Sequence, residues 1–232
     1  MFEHACTANR EAIYGLLASS PLKPHCVTAS NGTAFMVAPG YLVTAAHCVH
    51  QNTDHKKPLH AKCEVIRIPD IGQRMEIATL HAIDDGQDIA ILKIDAPRSR
   101  ASLKLLGSVV PRGAAVGSLG FPLAQVAFTS QGMAFNVVER FQGANVSAYV
   151  QATRPDGAAE THYETDSLMY GGSSGCPGFL STGEVWGMHN RSVLEAQKSG
   201  AKGNTPSTRL AISLWVPSTI ILGLCRQHGV PV

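Results

Sequence analysis

Long apolar runs are missing from this chain, and none comes near the ~20 consecutive residues that a membrane-crossing helix needs. The sequence therefore argues for no membrane partner. Charge is scarce too. Charged residues make up 16% of the chain and the formal net charge is +2. Nothing there argues for nucleic acid, and no basic run carries interleaved aromatics. Met1 to Ser20 lacks a basic start followed by an apolar stretch, so it does not read as a secretory signal. Repeats and low-complexity tracts are absent. What remains, 232 residues of which 44% are apolar, is a globular chain long enough for one large all-β unit or two small lobes.

The most informative stretch is Tyr170-Gly171-Gly172-Ser173-Ser174-Gly175-Cys176-Pro177. Small residues crowd one hydroxyl, as in a backbone that must turn sharply. Gly172 can adopt conformations that a Cβ would resist, which lets its N–H and that of Ser174 converge. Two convergent donors beside a serine oxygen can stabilise charge on an attacked carbonyl. The same composition also suits a plain Gly/Ser turn, so the serine's partners decide the matter.

Serine needs a base, ordinarily a histidine held by a carboxylate. His47 closes Thr44-Ala45-Ala46-His47-Cys48 after an apolar run, and Asp88 opens Asp88-Ile89-Ala90-Ile91-Leu92. Alone, each has a structural explanation, as a satisfied core histidine or a turn cap. Together, the order His47, Asp88, Ser174 discriminates among folds. An aspartate-first order fails because no aspartate precedes His47. A serine-first order fails because no aspartate follows Ser174 and position 176 is cysteine where Gly-x-Ser-x-Gly needs glycine. Asp84 and Asp85 are the alternatives for the carboxylate.

With these three motifs in place, the chain resembles the trypsin-like (chymotrypsin-fold) serine proteases over about residues 30–220. Thr44–Cys48 and Asp88–Leu92 resemble that family's histidine and aspartate motifs. Gly172–Pro177 resembles its serine motif with Ser173 and Cys176 as departures. Thr165 to Pro177 keeps the spacing of HtrA-type proteases, and Gly175–Phe179 with Glu184–His189 is similar to bacterial glutamyl endopeptidases. The resemblance implies an all-β fold of two six-stranded barrels, with a short N-terminal helix and a C-terminal helix. It implies a serine endopeptidase acting on protein or peptide, with His47 as base, Asp88 orienting it and Ser174 as nucleophile. Gly172 and Ser174 would form the oxyanion hole, with no cofactor and no metal. A binding module that has lost activity and an esterase on the same fold are the alternatives.

The pattern of the chain gives the expected elements. Residues 1–24 are an N-terminal segment in which Glu11, Ala12, Ile13, Leu16 and Leu17 suit a short amphipathic helix. The first lobe, residues 25–104, has strand candidates at Val27–Ser30, Ala34–Ala38, Tyr41–Thr44, Cys63–Ile68, Ile77–Ile83 and Ile89–Ile94. His50 to Lys62, with His55, Lys56, Lys57 and His60, reads as a solvated loop rather than a metal site. Asp95 to Pro111 reads as a connector. The second lobe, residues 105–232, has candidates at Ala114–Gly117, Ala127–Ser130, Ala134–Arg140, Ser147–Ala152, Phe179–Leu180, Glu184–His189 and Leu210–Val216. Ser218 reads as the N-cap of a final helix.

The resemblance also bears on cysteines, activation and specificity. The six cysteines are at 6, 26, 48, 63, 176 and 225. Secreted relatives bridge the cysteine after the histidine to one upstream, but the matching zone Asn31-Gly32-Thr33 has none. Mostly reduced, buried cysteines favour the cytoplasm. Ser173 stands where those relatives have an aspartate that captures a new N-terminus, so activation by cleavage is not expected. By the family pattern Met169, Tyr170, His189 and Arg191 line the specificity pocket, with Arg191 two residues on and so on the same face as His189. None of the pocket residues is a carboxylate, which argues against cleavage after Arg or Lys. An acidic or amide residue and a small or apolar one both remain. A regulatory protease cutting one designated protein, encoded beside it, fits the reading.

Overall fold

The computed structural model describes residues 1–23, 26–51, 58–129, 132–153, 159–196 and 207–232. His55, Lys56 and Lys57 lie outside that set. Helix α1 (Glu3–Asn9) and a 3₁₀ turn (Arg10–Ala12) lead into six strands: β1 (Ile13–Lys23), β2 (Cys26–Ala38), β3 (Tyr41–Ala45), β4 (Lys62–Ile66), β5 (Glu76–Asp84) and β6 (Ile89–Lys93). They close into an antiparallel barrel in the order β1-β2-β3-β6-β5-β4. Then follow β7 (Ala115–Gly120), β8 (Gln125–Thr129), β9 (Gly132–Asn136), β10 (Arg140–Thr153), β11 (Ala159–Thr165), β12 (Pro177–Phe179), β13 (Val185–Ala196), β14 (Ser207–Pro217) and helix α2 (Ser218–Gln227). A second closed barrel runs β10-β11-β14-β13-β12-β7, with β8 and β9 as a separate hairpin. The two six-stranded barrels and the helix at each end are those expected from the family resemblance.

Closure removes the unpaired strand edges that an open sheet would expose. The first barrel is filled by residues with almost no solvent contact, among them Ile13, Leu16, Phe35, Met36, Leu42, Ile89, Ile91 and Leu92. The second has its own core around Trp186, Trp215, Tyr163, Val116 and Val146, with Met169 and Cys176 inside it. Leu119, Phe121, Phe179 and Met188 of the second lobe belong to the same apolar cluster as the first barrel. The lobes are therefore continuous at the face where the site forms.

Several local expectations are corrected. The helix placed over Glu11–Leu17 lies earlier, at Glu3–Asn9, and Ile13–Lys23 is a barrel strand paired with both β2 and β4. Val27–Ser30 and Ala34–Ala38 are one strand, β2, continuous through Asn31–Thr33. The count of six survives because a gained strand offsets a fused pair. In the second lobe, the candidates around Ala127 and Ala134 form the hairpin outside the barrel, and β11 takes the place expected for them. Ser130 lies outside the described residues. Ser218 is the first residue of α2 rather than its cap, which is Pro217, and the Ser218 hydroxyl donates to the Leu106 carbonyl.

Each terminal segment crosses to the other lobe. Phe2 of the N-terminal segment rests against Phe141 and Phe179, with ring centroids 5.6 and 6.2 Å apart. Arg10 pairs with Glu139 at 2.8 Å, and Asn9 Nδ2 donates to the Gly183 carbonyl at 3.0 Å. At the other end His81 Nε2, on β5, donates to the carbonyl of His228, just past α2, at 3.0 Å.

Candidate active site

Asp88 sits where the turn after β5 enters β6, and its backbone takes the left-handed conformation, φ 55°. For a residue with a Cβ that costs about 1 kcal/mol, less for aspartate than for most. The surrounding bonds hold it there. The Asp88 carbonyl accepts Ala46 N–H at 3.1 Å. One carboxylate oxygen accepts His47 N–H at 2.8 Å, and the other lies 2.7 Å from His47 Nδ1. The carboxylate therefore grips both the backbone and the ring of the histidine. Of the alternatives, Asp84 Oδ1 accepts Gln87 N–H and Asp85 lies against His50, so neither is the partner of His47.

Burial of the His47 imidazole works against its charge. The Cys48 sulfur and the hydrogen-bonded Asp88 carboxylate act the other way and prevail, so its pKa is raised from 6.5. The effect is that of an anion beside the ring: it favours the protonated form.

Ser174 approaches from the second lobe. Thr33 N–H, on β2 of the first barrel, donates to the Ser174 carbonyl at 2.8 Å, and Cys48 Sγ–H points at the same oxygen from 3.8 Å. The residue beside His47 thus touches the residue proposed as nucleophile. Ser174 Oγ–H donates to the Asn190 carbonyl on β13 at 3.5 Å.

The loop around the serine is shaped by two glycines. Gly172 has φ 92°, and a Cβ there would fall 2.4 Å from the Phe121 carbonyl oxygen. Gly175 has φ 83°, and a Cβ there would fall 2.1 Å from the Thr33 carbonyl oxygen. Neither position admits any other residue without moving the backbone. Between them the peptide groups are tethered by their carbonyls. Gly171 O accepts Leu123 N–H at 2.7 Å, and Ser173 O accepts Cys176 N–H at 2.9 Å. In a trans peptide the N–H points opposite to the C=O, so the N–H groups of Gly172 and Ser174 are turned away from these tethers. Among the described residues no acceptor takes either of them.

Sequence reasoning assigned no role to Thr33, which is fully buried and uses every polar group it has. Besides its N–H, its hydroxyl donates to the Gly172 carbonyl at 2.9 Å and accepts Phe121 N–H at 3.1 Å, while its carbonyl accepts the Thr44 hydroxyl at 2.7 Å. The available signal was a hydroxyl residue directly ahead of an apolar run, beside the place where a disulfide was sought.

The pocket residues separate. Tyr170 is exposed, while Met169 is buried in the second core and its carbonyl accepts the Ser192 hydroxyl at 3.0 Å. His189 is 2% exposed, with its ring edge-on to Trp215 at 5.2 Å. Arg191 corrects the expectation that it shares His189's face. A bulge between the two places His189 opposite Trp215 and Arg191 opposite Leu214, the neighbouring residue on β14. Directly opposed residues share a face and successive ones alternate, so the bulge reverses the phase. Arg191 instead pairs with Glu160 on β11 at 2.8 Å. Ser173 is fully buried, and its hydroxyl has no hydrogen-bond partner among the described residues.

Cys6, Cys48, Cys63, Cys176 and Cys225 form no disulfide. Burial pushes the Cys176 thiol far up and the Cys63 thiol to about 11. Both are inert at neutral pH.

Residues 32–188 match the trypsin-like peptidase domain. The chain belongs to that family, and its fold is that of a trypsin-like serine protease. Among solved structures it is similar to the Rv3671c protease from M. tuberculosis. With the active form the TM-score is 0.69 at 18% identity, covering 97% of this chain and 84% of that one. With the inactive form it is 0.68 at 17% identity, covering 97% and 92%. At such identities the likeness is one of fold. No curated protein matches the chain in sequence.

A Cβ built on Gly32 would lie 3.3 Å from Cys48 Cβ, close to the Cβ separation of about 3.5 Å at the short end of what a disulfide spans. Gly32→Cys is therefore expected to cross-link to Cys48 under mild oxidation. Peptide mapping of the oxidised variant, with and without reductant, checks this. A variant in which Cys48 stays alkylatable after oxidation would show that the two backbones are not so placed.

Proposed function

We propose that this chain is a serine endopeptidase in which His47, Asp88 and Ser174 act as the catalytic triad. The observation that carries the reading is the double grip of Asp88 on His47, 2.8 Å to the backbone and 2.7 Å to Nδ1, beside a serine loop held to the same barrel. Asp88 fixes the tautomer in which Nδ1 carries the proton, leaving Nε2 to accept one. In the reaction the Ser174 hydroxyl turns from Asn190 to Nε2 and attacks the scissile carbonyl as His47 takes its proton. His47 then returns that proton to the leaving amine, and water releases the acyl group by the same steps reversed. The N–H groups of Gly172 and Ser174 hold the oxyanion, each worth ~3 kcal/mol of barrier. Beyond His189, β13 pairs with β14 alone among the described residues. Its other edge, beside Ser174, suits an extended peptide added as a strand. No metal or cofactor enters these steps.

The reduced cysteines and the glycine in place of a disulfide partner support a cytoplasmic enzyme, one that acts on a designated protein target. For the residue before the cut, a small or apolar side chain is favoured. Arg191 is turned off the pocket face and tied to Glu160, so it adds no positive charge beside His189.

Ser174→Ala, His47→Ala and Asp88→Asn are each expected to lower peptide hydrolysis ~10⁴-fold or more, non-additively and with the fold retained. Wild-type protein should bind a fluorophosphonate and Ser174→Ala should not. Labelling that persists in Ser174→Ala would remove Ser174 from the reaction.

His47 must be neutral to accept a proton. Because its pKa is raised, kcat/KM should climb with pH along a limb centred above 6.5 and fall as acid protonates the ring. Asp88→Asn should move that limb to lower pH. A wild-type limb centred below 6.5 would contradict the electrostatics of the pair.

A peptide library cut by wild type and by His189→Ala tests the pocket. An apolar preference kept in both is expected. A Glu or Gln preference that disappears in the variant would assign the pocket to a polar side chain.

A further inference from the structure

The two segments that meet at the proposed triad make the same kind of contact twice. Three residues beyond His47, and three before Asp88, His50 Nε2 lies 2.8 Å from Asp85 Oδ1. The His50 side chain is 7% exposed and that of Asp85 47%, so a buried ring from the histidine segment reaches out to hold the turn.

The ring belongs to a well-tied piece of the first barrel. The His50 carbonyl accepts the Ser30 hydroxyl at 3.3 Å, and His50 bridges to Leu59. Ser30 Oγ is in turn 3.0 Å from His60 Nε2, and His60 Nδ1 is 3.3 Å from Ser20 Oγ. Burial, and then the neighbouring His50, hold the His60 imidazole below its usual range. The Asp85 carboxylate and the His60 imidazole are thus among the groups that face His50.

The turn it holds has a demanding end. Asp85-Gly86-Gln87 is closed by Gln87 N–H donating to Asp84 Oδ1 at 3.0 Å, and the next residue is Asp88 with its left-handed φ of 55°. Asp88 has to keep that conformation while both carboxylate oxygens stay on His47. A turn tethered only at Asp88 would let the strained residue relax and draw the carboxylate away.

We propose that His50 and Asp85 form a positioning clamp, which holds the turn before Asp88 so that its carboxylate stays bonded to His47. The inference rests on the triad reading for its kinetic consequence but not for its structural one. The clamp touches no substrate; it acts through Asp88.

Three variants test it: His50→Ala, His50→Gln and Asp85→Ala. A displacement of a catalytic group by about 1 Å can cost ~10²-fold in rate. His50→Ala and Asp85→Ala should therefore each lower kcat by ~10- to 100-fold with KM nearly unchanged, and the double variant should lose no more than either alone. The acid limb of kcat/KM, which reports His47, should move to lower pH in both. His50→Gln, whose amide can still donate to Asp85, should recover most of the rate and the limb. The His47 imidazole titration, followed by NMR, gives the same comparison without turnover. A lower His47 pKa in His50→Ala supports the clamp even in a protein that hydrolyses no peptide, so the failure of the protease reading is separable from the failure of this one. Unchanged rate and unchanged His47 titration in His50→Ala would overturn the proposal. So would a loss that His50→Gln does not repair while the variants remain folded.

Discussion

The active-site geometry depends on one docking contact, that of Thr33 on β2 with the loop around Ser174. Four hydrogen bonds converge on this single buried residue, two of them to the backbone of the Ser174 loop. The close approach of Gly175 to the Thr33 carbonyl leaves no room for slippage. His47 and Asp88 come from the first barrel and Ser174 from the second, so no arrangement internal to either lobe can bring them together. The contact at Thr33 does so with one backbone bond, to the Ser174 carbonyl, and with a buried hydroxyl held between Gly172 and Phe121. The crossing of α1 onto the second lobe and of the α2 end onto the first limits rotation about that contact.

The same contact accounts for the electrostatics of the loop. Thr33 fixes the Gly172 carbonyl, Leu123 fixes that of Gly171, and Cys176 fixes that of Ser173. With three successive carbonyls pinned, the N–H groups of those peptides are fixed in direction: that of Ser173 donates to the Tyr170 carbonyl at 3.1 Å, and those of Gly172 and Ser174 meet no acceptor among the described residues. Leu123 itself has φ 62°, a conformation that leucine rarely takes. Strain there is understandable as the consequence of placing its N–H on Gly171.

The motifs were legible in the sequence because they consist of residues with few substitutes. Only glycine fits at 172 and 175, and only His47 and Asp88 stand at the right ends of β3 and β6. The two-barrel architecture was legible through them rather than through strand patterns. β1 was misread because residues 12–20 are buried on both faces, so no period-2 alternation exists and an apolar run of that kind reads equally as helix. β11 was missed for the opposite reason: Ala159–Thr165 is mostly polar and half-exposed, with only Tyr163 and Thr165 deeply buried. Arg191 was placed on the wrong face because a bulge leaves no mark in the composition of a strand. Thr33 and the His50–Asp85 pair were invisible as partners, since each depends on segments brought together only by barrel closure.

The missing disulfide shows how such a site can be held without oxidation. A bridge at Gly32 and Cys48 would close a loop of about 16 residues, for which chain entropy gives ~3 kcal/mol. In its place stand neutral hydrogen bonds, each contributing about 1 kcal/mol net, concentrated on the residue next to Gly32. Thr33 alone makes four, and the Cys48 thiol, packed against Gly32, points at the Ser174 carbonyl. The substitution is of one kind of constraint for another. A disulfide acts largely by restricting the unfolded chain, whereas the Thr33 bonds to Ser174, Gly172 and Phe121 exist only when both barrels are folded and docked. Formation of the site is thereby coupled to lobe docking itself, and a chain with its lobes apart would have neither the Ser174 loop fixed nor the N–H groups of Gly172 and Ser174 held in direction.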